Sequence, residues 1–325
     1  MLALLSTGLL LALPFQQAQR SDALATRPLF VDPHEFLLPS DLAPANFALG
    51  DVDVDGDVDV LALETFGPFE SYRPKVWRNE GGGRLRRGPE IEFPFLFPAH
   101  VELVDLDGDL DLDALVGEYL LVNTGSLRFA LDPVPQPFAL QTERTFADFD
   151  GDGAKDALFA ATGTAVLLLN DGLGHFSDAF ANLPFGLPAT DFVASGDVDG
   201  DLDADLLAGA FGATYLLLND GTGVFTDASG NLPATTTFGG FELADVDGDL
   251  DLDALAFGEL WTNDGSGVFI DASAQLPGTS GAGGTLLDLE GDGDPDLLAG
   301  DRVLVNDGSG VFALAPALVP ALPGF

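Results

Sequence analysis

The stretch Asp245-Val246-Asp247-Gly248-Asp249-Leu250-Asp251-Leu252-Asp253 decides how the rest of the chain is read. Carboxylates at alternate positions would repel one another along an extended strand, so the run makes physical sense only if it wraps round a positive centre. The available ligands are oxygens, with no Cys or His close by. Such a set selects a hard cation, and five carboxylates in one tight loop suit Ca²⁺ better than the smaller Mg²⁺, which gives up its water reluctantly.

The run occurs six times, starting at Asp51, Asp105, Asp148, Asp197, Asp245 and Asp288, at intervals of 54, 43, 49, 48 and 43 residues. A period of that size marks a repeat architecture in which each unit buries its apolar face against its neighbours. In the fifth unit one apolar stretch, Phe241 to Ala244, enters the acidic loop and a second, Ala254 to Phe257, leaves it. A third strand then ends in Asn-Asp-Gly and a fourth begins with Val-Phe. The runs Asn170-Asp171-Gly172, Asn219-Asp220-Gly221, Asn263-Asp264-Gly265 and Asn306-Asp307-Gly308 are hairpin signals, because all three residue types tolerate the positive φ of tight turns. Each unit therefore reads as a four-stranded antiparallel meander, and units of this length with four strands match propeller blades. The predicted class is all-β: a single β-propeller domain over residues 26–325, with six blades and seven as the alternative. Too few residues follow Phe312 for a further four strands.

On these motifs the chain resembles the FG-GAP or VCBS-type repeat proteins, similar to the β-propeller of integrin α subunits, over about Leu29 to Phe312. Phe238-Gly239 matches the Phe-Gly half of the family name, whereas Leu207-Ala208-Gly209-Ala210 is the nearest approach to a Gly-Ala-Pro. The resemblance implies an extracellular interaction module, and the integrin analogy is what keeps seven blades open.

Within each loop the spacing resembles the start of an EF-hand loop, where positions 1, 3 and 5 give side-chain oxygens, position 7 a backbone carbonyl, and a Gly at 6 the sharp turn. A carboxylate at position 9 would close the shell before the strand that follows. The candidate Ca²⁺ ligands are Asp51, Asp53, Asp55, Asp57 and Asp59 in the first loop and Asp105, Asp107, Asp109, Asp111 and Asp113 in the second. The third offers Asp148, Asp150, Asp152, Ala154 and Asp156, the fourth Asp197, Asp199, Asp201, Asp203 and Asp205. The fifth offers Asp245, Asp247, Asp249, Asp251 and Asp253, and the sixth Asp288, Glu290, Asp292, Asp294 and Asp296. Leu110, Leu202 and Leu250 stand at position 6. If position 6 needs positive φ, each costs on the order of 1 kcal/mol, and those loops should bind more weakly. A catalytic ion would be expected once, beside a proton-transfer group. One that recurs in every unit is read as structural.

Composition narrows the partners. The 325 residues carry a net charge of −41, with 29 of the 53 acidic residues inside the six loops. Such a surface repels nucleic acid and anionic lipid. Apolar residues make up 46% of the chain, ample for a core, and there is no Cys, which excludes disulfides and thiolate chemistry. Leu2 to Phe15 is an apolar run too short to span a bilayer, followed by polar Gln16 to Arg20 and Ala-Leu-Ala at Ala23 to Ala25. Residues 1–25 are therefore expected to be a cleaved export signal, giving an extracellular or cell-surface monomer with no membrane span. Leu29 to Asp32 resembles Val224 to Asp227, the start of a fourth strand, and is expected to pair into the blade that holds Asp288.

The first unit departs from the rest. Between Phe66 and Pro94 it carries an insertion with Arg73, Lys75, Arg78, Arg84, Arg86 and Arg87, half of the twelve basic residues. These either bind an anionic group such as a uronate, sulfate or carboxylate, or pair with the neighbouring acidic loops. Loops on a rigid scaffold are where binding tends to reside, and the face opposite the acidic loops is free of metal sites. Phe69, Tyr72 and Arg73, in the longest connection on that face, are the candidate ligand contacts.

No catalytic constellation stands out. His34, His100 and His175 fall in different units, and there is no His-Glu-x-x-His, Gly-x-Ser-x-Gly or phosphate-binding Gly loop. Phe176, Phe225, Phe269 and Phe312 recur at one register and read as packing between blades; Trp77 and Trp261 do the same or offer a sugar platform. The expected function is a non-catalytic module for an extracellular protein or glycan. The alternative is a lyase or hydrolase acting on acidic glycans.

Overall fold

The computed structural model describes residues 47–315 apart from 67–70, 82–83, 94–99, 118, 133–143, 161–164, 185–191, 211, 235–238, 257, 279–283, 290 and 301. These residues form six four-stranded antiparallel sheets, each made of four strands consecutive in sequence. The fold is the all-β, six-bladed propeller that the repeat spacing predicts. In the fifth blade the strands are Phe241–Ala244, Asp253–Ala256, Glu259–Asn263 and Phe269–Asp271, in that order across the sheet. Helix is confined, among the described residues, to three short 3-10 turns, Phe180–Asn182, Ser229–Asn231 and Ser273–Gln275, each just after a fourth strand.

The second strand of each blade is its most buried, as a strand sandwiched between neighbouring sheets must be. Asp253–Ala256 and Asp113–Val116 have every residue buried. Apolar clusters lie between successive blades. Val52, Leu61 and Val76 of the first blade pack with Val116 and Leu121 of the second, and Phe149 and Leu158 of the third pack with Leu206 and Phe225 of the fourth. Burying each such side chain contributes about 1.5–3 kcal/mol. The recurring Phe residues belong to these clusters: Phe225, Phe269 and Phe312 are buried, and Phe176 packs against the cluster between the second and third blades. Phe149 meets Phe225 edge-on, with ring centroids 5.5 Å apart. Trp261 is fully buried, which makes it core and no sugar platform.

First strands of neighbouring blades are joined by polar bridges. Arg144 Nε contacts Glu102 Oε2 at 2.5 Å, the hydroxyls of Thr145 and Ser195 lie 2.6 Å apart, and Glu242 Oε2 accepts the Leu286 N–H at 2.6 Å.

Two details differ from the sequence reading. The Asn-Asp-Gly runs do sit at hairpins, but not as two-residue turns: Asn219 pairs with Phe225 and Asn263 with Phe269, leaving five residues in each loop. Positive φ falls on two Gly residues, Gly221 and Gly223 in the fourth blade, while the Asn is a buried bonding residue. The insertion of the first unit is mostly strand: Asp59–Phe66 and Ser71–Asn79 pair from Val60↔Trp77 to Phe66↔Ser71, so Tyr72 and Arg73 lie in a strand. The sixth sheet consists of four strands of its own unit, the last being Phe312–Leu314. Leu29 to Asp32 and the export segment 1–25 lie outside the described residues, as do Phe69, His34 and Glu290.

Candidate metal centres

Each acidic loop joins the first strand of a blade to the second and is built round two carboxylates with different jobs. The Asp at position 9 opens the second strand and is completely buried in all six blades. Its two oxygens hold the loop's ends together. In the fourth blade Asp205 Oδ2 accepts the Val198 N–H at 3.0 Å and Oδ1 accepts the Asn219 N–H at 2.8 Å. The same pair of bonds recurs at Asp59, Asp113, Asp156, Asp253 and Asp296. The Asp at position 1 caps the turn: Asp245 Oδ1 takes the Gly248 N–H and Oδ2 the Leu250 N–H, at 2.8 and 3.0 Å.

Both position 4 and position 6 take positive φ in every loop. The strain expected for leucine at position 6 is present, with φ of +75° at Leu110 and +77° at Leu202 and Leu250. These side chains gain no packing in return, being 84%, 90% and 88% exposed. Position 4 had no such expectation attached to it, and there Val54 takes φ of +58°, an outlier for a β-branched residue.

The asparagine that ends each third strand ties the blades together. Asn219 Nδ2 donates to the Phe149 carbonyl of the preceding blade at 2.8 Å and to the Ala204 carbonyl of its own loop at 3.1 Å. Asn123, Asn170, Asn263 and Asn306 likewise reach the position-2 carbonyls Val52, Leu106, Val198 and Val246. In the first blade Asn79 Nδ2 bonds only its own loop, at Val58 O, among the described residues. The Gly267 N–H of one hairpin donates to Val198 O of the preceding blade's loop at 2.9 Å. Acidic loops and third-to-fourth hairpins thus share one face, as the strand order implied. At Gly308, φ +76°, a Cβ would come within 2.6 Å of Asp294 Oδ2, so both conformation and close approach require glycine.

In the first five loops carboxylate oxygens from positions 1, 3 and 9 lie within 4.8 Å of one another: Asp51, Asp53 and Asp59; Asp105, Asp107 and Asp113; Asp148, Asp150 and Asp156; Asp197, Asp199 and Asp205; Asp245, Asp247 and Asp253. Asp53, Asp107, Asp199 and Asp247 each bury an Oδ1 that no donor reaches. An unpartnered buried carboxylate oxygen is costly, and a cation at this point is what its chemistry calls for. The donor set fits an oxygen-seeking divalent ion such as Ca²⁺. Without one, burial pushes Asp113 and Asp205 up to about 7, and Asp156 and Asp253 to about 6, with the nearby carboxylates adding to the rise and the two backbone N–H bonds opposing it.

The basic island of the first blade is largely paired. Lys75 Nζ lies 3.2 Å from Glu64, Arg86 3.0 Å from Glu80, Arg87 4.0 Å from Glu64, and Arg78 contacts both Asp53 and Asp55. Of the proposed ligand contacts, Tyr72 is 9% exposed and packs in the core between the first and second blades. Alanine there would open that core, so Tyr72 cannot report on ligand contact alone. An open cleft of about 540 Å³ lies elsewhere, between the fourth strands of these two blades, lined by Glu90, Glu92, Phe93, Phe129, Ala130 and Leu131. His175 is exposed beside Asp171, 3.3 Å away, as a surface residue would be.

With this geometry in place, comparison with known proteins gives a consistent answer. The FG-GAP-like repeat matches residues 51–116, 148–208 and 197–256, more than half of the chain, and the protein belongs to that repeat family. Among solved structures it is similar to a lectin of Agrocybe aegerita, described as specifically recognising non-reducing terminal N-acetylglucosamine. The likeness has 20% identity and a TM-score of 0.60, over 82% of this chain and 77% of that one. A rhamnogalacturonan lyase of Bacillus licheniformis also aligns, with 14% identity and a TM-score of 0.49, over 81% of this chain and 44% of that one. No curated protein matches the chain. At this identity the likeness to the lectin speaks to the fold alone. Among the described residues no helix is long and apolar enough to cross a membrane.

Proposed function

We propose that the protein is an extracellular, calcium-stabilised β-propeller that binds a glycan or protein partner without chemistry of its own. The observation that carries the calcium part is the recurrence of one carboxylate bracket, with its positions 1, 3 and 9 brought together in five successive loops. Repetition at the same place in each blade favours a structural ion. At extracellular affinities of about 10⁻⁴ to 10⁻³ M, millimolar Ca²⁺ contributes roughly 0.4–1.4 kcal/mol per site. Several such sites add up to a good part of a domain's stability, about 5–15 kcal/mol.

Glycan binding is supported by the family and by the lectin-like fold, and the cleft between the first two blades offers a chemistry that suits it. Phe93 and Phe129, which also pack against the core between these blades, line it beside Glu90 and Glu92, whose carboxylates are hydrogen-bond acceptors. Phe69 and Arg73 remain the proposed contacts on the face opposite the loops. A glycan and protein array run with calcium and with chelator tests the reading: retention of one ligand class in calcium, lost with Glu90→Gln or Glu92→Gln, is the expected result. Unsaturated products from uronate-containing glycans would replace the binding module with a lyase.

A further inference from the structure

We infer that the first blade carries its own cation: Arg78 occupies the metal-facing side of the first acidic loop, which therefore takes no calcium where the open loops do. The inference rests on the calcium reading of the other loops. In the third strand the residue before the bonding Asn is Val122, Leu169, Leu218, Thr262 or Val305 in the later blades, and Arg78 in the first. That register points the guanidinium back over its own loop. Arg78 Nη2 donates to Asp55 Oδ2 at 2.8 Å, and Nε lies 2.7 Å from Asp53 Oδ2, an ionic contact whose N–H is not aimed at the oxygen.

The consequence follows from counting free oxygens. At position 5 one carboxylate oxygen is always taken inside the loop: Asp57 N–H on Asp55, and Asp111, Ala154, Asp203 and Asp251 N–H on Asp109, Asp152, Asp201 and Asp249. In the last four the second oxygen has no donor among the described residues and is left for an ion. In the first loop that oxygen belongs to Arg78, and so does one oxygen of the position-3 Asp53; the other Asp53 oxygen, buried without a donor as in the second, fourth and fifth loops, has the guanidinium charge beside it. A monovalent guanidinium also sits where a divalent ion would have to approach, and like charges would repel. The loop is distorted as well: Val54 stands at φ +58°, and Asp51 Oδ1 takes the Asp55 N–H instead of the position-4 N–H used in the second to sixth loops.

Counting bound calcium per chain, by metal analysis of protein equilibrated at a fixed free calcium concentration, tests this. Asp53→Asn with Asp55→Asn should leave the count unchanged, whereas Asp150→Asn with Asp152→Asn should lower it by one. Arg78→Leu, if it folds, should raise the count by one. Loss of one calcium in the Asp53/Asp55 variant would overturn the inference while leaving the calcium reading intact. No bound calcium in the unaltered protein would instead overturn the reading on which it rests.

Discussion

The first and third acidic loops have the same length, the same buried carboxylate at position 9 and opposite solutions to the same electrostatic problem. The third has Gly151 and Gly153 at the two positive-φ positions, with φ of +76° and +94°, and no cationic side chain is in salt-bridge contact with its carboxylates among the described residues. The first forces Val54 into the left-handed region and lays Arg78 across Asp53 and Asp55. One loop is relaxed and leaves its charge for an ion. The other is strained and neutralises part of its charge from within. A repeat fold tolerates this because the position-9 bracket, Asp59 or Asp156, holds the loop ends without help from either cation.

That separation of roles sets the order of expected effects. The largest should come from the bracket: Asp59→Ala and Asp156→Ala each leave two N–H groups without acceptors in the core. Each should cost about 2–5 kcal/mol, in calcium or in chelator alike, by denaturant unfolding. If Asp156→Ala were harmful only in calcium, position 9 would be a metal ligand first and a bracket second.

Next in size is the ion itself. Asp150→Asn with Asp152→Asn should lower stability by roughly 0.4–1.4 kcal/mol in millimolar calcium and leave chelated protein no less stable. Comparable in size, and of opposite sign, are the strained positions. Val54→Gly, and separately Leu250→Gly, should raise stability by about 1 kcal/mol because glycine reaches positive φ without the Cβ penalty. A loss at both would mean that the leftover side-chain contacts outweigh the backbone strain.

The pH dependence should divide the two states of the protein. In chelator the native protein binds extra protons at Asp113 and Asp205, raised to about 7, and at Asp156 and Asp253, raised to about 6. Between the ordinary carboxylate range and these values the native state holds more protons than the unfolded chain. The contribution of these groups is therefore greatest at low pH and is lost as pH rises through about 6–7. Calcium needs the ionised forms, so the gap in melting temperature between calcium-loaded and chelated protein should widen from pH 5 to pH 8. A constant gap would separate calcium binding from these carboxylates.

Much of this was legible in the sequence because the repeat states it six times: the loop spacing, the strand order, the shared face of loops and hairpins, and the glycine preference at position 6. What was not legible depends on contacts between distant residues. The Asn of Asn-Asp-Gly looks like a turn former, yet its main task is a bond to a carbonyl 60 to 71 residues earlier, as from Asn306 to Val246 and from Asn123 to Val52. Position 9 looks like one more ligand, and only the fold reveals that both its oxygens already hold N–H groups. Arg78 was visible as a basic residue in an acidic protein, but its register one place before Asn79 was the signal that it would lie over the loop. Tyr72 read as a loop residue because the insertion hid the length of the paired strands, which run to Phe66↔Ser71.

Calcium in the acidic loops should stabilise a fold whose loop ends and blades are already tied by the position-9 carboxylates and the asparagines. The direct measurement is thermal melting of the intact protein in calcium, in chelator, and in chelator followed by equal concentrations of Ca²⁺ or Mg²⁺. Chelation should lower the melting temperature, and Ca²⁺ should restore it further than Mg²⁺, since the loops offer many oxygens in a flexible shell. Superimposable melting curves under all four conditions would contradict it.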